Sequence, residues 1–84
     1  MNGAYNSTLL LNIAIAQTKL SRKDEAIKSL GLALKYNPKY AKAYVKRGEI
    51  RLTMEDYNEA LRDFTSARDH DPSGFNIDQK IKEC

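Results

Sequence analysis

The chain has 84 residues, 42% of them hydrophobic and 30% charged, with a formal net charge of +3. That length holds one small domain with a modest core, and the composition is that of a soluble globular protein rather than a disordered tail. The longest apolar run, Ile13 to Ala16, is far too short to span a membrane, and one cysteine, Cys84, excludes an internal disulfide framework or zinc knuckle.

Residues 1–8 have neither the basic flank nor the apolar core of a signal peptide. From there the chain predicts four helices, over 6–20, 23–36, 40–53 and 55–69. In the first, Leu10, Ile13, Ala14 and Gln17 fall at i, i+3, i+4 and i+7 on one face. Ser21, Arg22 and Lys23 make a short polar connection, as antiparallel neighbours need. The second helix answers with Ala26, Leu30, Ala33 and Leu34, then ends before Pro38, which lacks an N–H and disfavours helix in the residue preceding it.

The third and fourth helices repeat the first two. Ala26 and Ala60, Leu30 and Phe64, Ala33 and Ala67, and Pro38 and Pro72 all lie 34 residues apart, as do Leu10 and Tyr44, and Ala14 and Gly48. The strings DEAIKSLGLALKYNP and NEALRDFTSARDHDP superimpose without a gap. Small side chains at 26, 33, 60 and 67 let paired helices approach closely. After Pro72, Ser73 reads as a cap, and Phe75, Ile77 and Ile81 as the apolar side of a short closing helix over about 75–84, with Lys80 and Lys82 facing solvent.

The period and the small–large–small–proline order resemble the tetratricopeptide repeat. The resemblance covers about residues 7–74 and implies an all-α chain of tandem helix-turn-helix units, wound as a right-handed superhelix with a C-terminal cap. The units would run over about 7–40 and 41–74. Gln17, Arg47 and Arg51 depart from the family's apolar or aromatic preferences and are expected to weaken packing between helices.

In such a superhelix the first helix of each unit lines a concave groove. The resemblance places Asn12, Leu11, Ile15 and Lys19 there from one unit, and Lys42, Val45, Lys46 and Glu49 from the next. Lys42 and Lys46 are one helical turn apart, so their ammonium groups can converge on one anion. Asn12 with this basic pair resembles the subclass that clamps the acidic C-terminal tails of heat-shock chaperones through two carboxylates. The implied function is a co-chaperone-like, cytoplasmic protein-binding module; the alternative is a generic scaffold that docks a folded partner or self-associates. The clamp subclass draws a further lysine and asparagine from a preceding repeat. Residues 1–8 contain no lysine and are too short to form that repeat, so the expectation is a fragment of a longer protein.

Other features have plainer readings. Arg47, one step round from Lys46, is expected to support the groove from behind. Tyr36, Tyr40, Tyr44, Tyr57 and Phe64 read as core or inter-helix packing, and His70 as a helix-terminal charge. Asp56, Glu59 and Asp63 read as exposed ion-pair partners beside Arg62. No nucleophile–base set, glycine-rich phosphate loop or metal-ligand spacing is present in the sequence, so no enzymatic activity, metal or cofactor is expected. The mild, interspersed charge predicts neither a nucleic-acid nor a membrane partner.

Overall fold

A computed structural model describes residues 3–71, with side chains described from Asn6 onward. Four helices follow in order: α1 Gly3–Lys19, α2 Lys23–Tyr36, α3 Ala41–Thr53 and α4 Tyr57–His70. Pro72, the closing helix expected over about 75–84 and Cys84 lie outside the described residues.

Each helical pair turns through the same motif. In the first turn Arg22 N–H donates to the Gln17 carbonyl at 2.8 Å and Ser21 N–H to that of Thr18 at 3.0 Å. In the second, Asp56 donates to Arg51 at 2.9 Å and Glu55 to Leu52 at 3.0 Å. This is the two-bond Schellman closure, which needs a left-handed residue just past the helix end. Ser21 (φ 62°) and Glu55 (φ 61°), one repeat apart, take that conformation. Glu55 therefore belongs to the turn, and α4 begins at Tyr57 rather than at 55.

α1 packs on α2 and α3 on α4, while α2 joins the two pairs by packing against α3. The expected stripe is buried: Ala26, Leu30 and Ala33 are fully covered and Leu34 nearly so, against Leu11 and Ala14 of α1. Ala43 and Ile50 of α3 complete this cluster, with Tyr40 and Tyr44 packed on its margin. A second cluster gathers Ala41, Val45, Ala60, Phe64 and Ala67. The larger ring of Phe64, standing where the first pair has Leu30, is accommodated by Gly48, standing where the first pair has Ala14. A Cβ added at Gly48 would lie 2.7 Å from the Phe64 ring.

Three expectations are corrected. Asp63 is 2% exposed rather than on an open face. It is held by Arg47, whose Nε donates to both carboxylate oxygens at 3.1 Å and whose Nη2 donates to Oδ1 at 2.8 Å. Arg51 Nη1 adds a bond to Oδ2 at 2.8 Å. Gln17, Arg47 and Arg51 accordingly link helices instead of weakening their packing: Gln17 accepts from the Ser29 hydroxyl at 2.8 Å. Gln17 and Ser29 are the counterparts, one repeat earlier, of Arg51 and Asp63. Finally, Tyr36 and Tyr57 are half exposed, not core. Glu59 does pair with Arg62, at 3.6 Å, and also reaches Arg51 at 3.7 Å.

Candidate functional site

α1 and α3, the first helices of the two pairs, face one another across an open groove of about 380 Å³. Its lining is Leu11, Asn12 and Ile15 from α1, and Lys42, Val45, Lys46 and Glu49 from α3. These are seven of the eight groove positions expected from sequence; Lys19 is exposed but does not line the groove.

The walls are built from matching repeat positions. Leu11 corresponds to Val45, Asn12 to Lys46 and Ile15 to Glu49. Leu11 and Val45 are buried and form an apolar floor. Asn12 and Lys42 are exposed at the rim, whereas Ile15, Lys46 and Glu49 are half-buried. Lys42 and Lys46 stand one turn apart on α3, so the groove offers two ammonium groups and an amide above a floor of aliphatic carbon. That combination suits a ligand with paired carboxylates and an adjoining apolar side chain.

What fixes the rotation of α3 lies on its other side. Arg47 follows Lys46 by about 100° round the helix and turns away from the groove into the Asp63 network. Its guanidinium carbon also sits 5.7 Å from the Tyr44 ring centroid. Tyr44 stacks in turn on His70, with centroids 5.8 Å apart and planes at 20°. His70, expected as a helix-terminal charge, thus also makes a packing contact at the end of α4. The expected supporting role of Arg47 corresponds to this arrangement, but its acidic partner was missed. The available signal was the 34-residue offset, which maps the Gln17–Ser29 pair onto Arg51 and Asp63.

Among the described residues no cluster of three or more His, Cys, Asp or Glu could hold a metal ion, and no helix is long and apolar enough to cross a membrane. A family model described as the tetratricopeptide repeat matches residues 7–40 and 41–67. The chain belongs to the tetratricopeptide repeat family. This is a family of protein-interaction repeats, not of enzymes.

A DnaJ homolog subfamily C member 7 homolog from Dictyostelium discoideum is 37% identical over 79 residues, covering 94% of this chain and 15% of the relative. The chain therefore spans about a seventh of that relative's length. Among solved structures, the first tetratricopeptide domain of Spaghetti (RPAP3), bound to the HSP90 peptide SRMEEVD, superimposes with a TM-score of 0.86 at 29% identity. That match covers 94% of this chain and 63% of the other. The second tetratricopeptide domain of human RPAP3, in complex with the HSP70 peptide SGPTIEEVD, gives 0.84 at 30% identity, covering 96% and 67%.

Proposed function

We propose that this chain is a cytoplasmic, co-chaperone-like module that binds the acidic C-terminal peptide tail of a heat-shock chaperone in the α1–α3 groove. The observation that carries the reading is the convergence of Asn12, Lys42 and Lys46 over the apolar floor of Leu11 and Val45. The two solved domains described above, each with a chaperone peptide ending in EEVD, support it.

Lys42 and Lys46 would donate to the main-chain carboxylate and a neighbouring side-chain carboxylate, and the Asn12 amide would add a directed bond. Each charge-assisted contact contributes about 1.5–3 kcal/mol when well placed. Lys46 acts as a point charge without the planar fork of arginine, so it sets sign and distance more than orientation. Leu11, Ile15 and Val45 receive the apolar residue beside the terminus.

A second reading has its own observation. Leu9, Ile13, Leu32 and Tyr36 are 39–51% exposed, and Leu9, Leu32 and Tyr36 border a hollow together with Asn6 and Leu10. Such a face fits a scaffold that docks through apolar surface or self-associates.

Titration with a peptide ending Glu-Glu-Val-Asp, with a free or an amidated terminus, separates the readings. Tail binding should weaken on amidation, fall with salt, and disappear in Lys42→Ala/Lys46→Ala. Binding that survives loss of both lysines would discard tail recognition in favour of apolar docking.

A further inference from the structure

α1 carries a second apolar line besides its core stripe. Leu9, Ile13 and Leu20 are 47%, 39% and 64% exposed, and Ala16 between them is exposed as well. Their spacings of four, three and four residues follow the a and d order of a coiled-coil seam. At about 100° per residue the line stands roughly a third of a turn from the groove positions Leu11, Asn12 and Ile15, so it belongs to a different face. The second helical pair shows what this register does. Ala43 and Ile50, the counterparts of Leu9 and Ala16 one repeat later, are buried in the cluster that α3 shares with α2, whereas the same line on α1 is left exposed.

The line has two unlike ends. Beside Leu9, the half-exposed Leu32 and Tyr36 of α2 border a hollow of about 330 Å³. At the other end, about 16 Å along the axis, stands Leu20, the most exposed large apolar side chain among the described residues. We propose that this face joins two copies of the chain through antiparallel α1 helices, with Leu20 of each copy seated in the hollow of the other. This rests on the apolar-docking reading of the face and is independent of tail recognition, because the groove positions lie off the seam.

The line is complementary to itself. A twofold axis passing between Ala14 and Ile15 sets Leu9 against Leu20 of the second copy, and the large Ile13 against the small Ala16, so the surface closes on its own copy. Charge does not oppose this pairing. Lys19 is the only charged residue of α1, and the symmetry sets the two Lys19 side chains about 13 Å apart along the axis. The four seam residues with Leu32 and Tyr36 expose roughly 500 Å² per copy, or about 1,000 Å² for the pair, the lower bound of a specific interface. The dimer is therefore weak and dissociates on dilution.

The test is sedimentation equilibrium of the full 84-residue chain from about 10 to 500 μM, with reductant present so that Cys84 forms no disulfide. The average mass should rise from one chain toward two, and should do so in about 0.5 M salt as well. The dissociation constant should increase about tenfold or more in Ile13→Glu and in Leu20→Gln, each with the circular dichroism of the parent. Orientation is read in a Cys84→Ser background, where a Leu9→Cys chain mixed with a Leu20→Cys chain should cross-link to the other in preference to its own kind. Cross-links chiefly between like sites would overturn the antiparallel seam. Association that ignores Ile13→Glu and Leu20→Gln but is lost in Leu32→Gln/Tyr36→Gln would also overturn it, and would leave apolar docking on the α2 side standing. A mass of one chain at every concentration would overturn the seam together with self-association through this face.

Discussion

Replacing Asp63 by alanine removes the shared acceptor of two guanidinium groups. The Asp63 side chain is 3% exposed, and those of Arg47 and Arg51 are 20% and 19% exposed. Four hydrogen bonds of 2.8–3.1 Å are lost together. Breaking a buried ion pair by removing one partner costs about 3–5 kcal/mol, mostly because the remaining charge stays unpaired. Both arginines keep about a fifth of their surface in water, so the low end applies and Asp63→Ala should cost about 3 kcal/mol. A chain of this length has roughly 4–13 kcal/mol in total, and the urea midpoint followed by far-ultraviolet circular dichroism should fall by about 2–3 M. The first repeat supplies a control, because Ile13, Gln17 and Ser29 stand where the second has Arg47, Arg51 and Asp63. The triple variant Arg47→Ile/Arg51→Gln/Asp63→Ser exchanges the ionic solution for the neutral one and should stay within about 1.5 kcal/mol of the parent. A loss below about 1 kcal/mol in Asp63→Ala, or an equal loss in the triple variant, would show that pairing of these charges is not what stabilises the second unit.

Two further outcomes concern local geometry. Gly48→Ala drives a methyl group against the buried Phe64 ring and should cost about 1–3 kcal/mol in thermal unfolding. Adding Phe64→Leu, which copies the Ala14–Leu30 pairing, should recover most of that loss, and a double variant worse than Gly48→Ala alone would refute the volume argument. Ser21→Gly and Glu55→Gly relieve left-handed side-chain conformations and should each raise stability by about 0.5–1 kcal/mol, additively, since the sites lie in separate turns. Lower melting temperatures in both would contradict the reading of these turns.

The helices were legible because a 34-residue offset carries burial, turn chemistry and helix face together, and the groove positions because the resemblance to the tetratricopeptide repeat assigns them to the first helix of each unit. Ala26, Ala33, Ala60 and Ala67 are all fully buried. Asn12, Lys42 and Lys46 share one groove because their register on α1 and α3 is fixed by those buried stripes. Asp63 was illegible by composition, because an acid near Glu59 and Arg62 looks like a solvated helix face. Its burial depends on arginines 12 and 16 positions earlier on another helix, and only aligning the two units exposes the correspondence with Ser29. Tyr36 and Tyr57 misled in the opposite direction. Aromatic residues at helical spacing predict packing only where a neighbour covers that face, and within the described residues both remain half exposed.

The two walls of the groove belong to different repeats and are connected through α2, which packs against both of their helices. The site is an open arc whose two walls, α1 and α3, are joined through the packing of α2 against each. A ligand touching Asn12 on one side and Lys46 on the other closes that arc into a ring. Its binding free energy then acts as a mechanical brace on the joint, adding about 1.4 kcal/mol for each tenfold excess over the dissociation constant. On the tail-binding proposal, the repeats would therefore report an occupied groove through their stiffness as well as their chemistry.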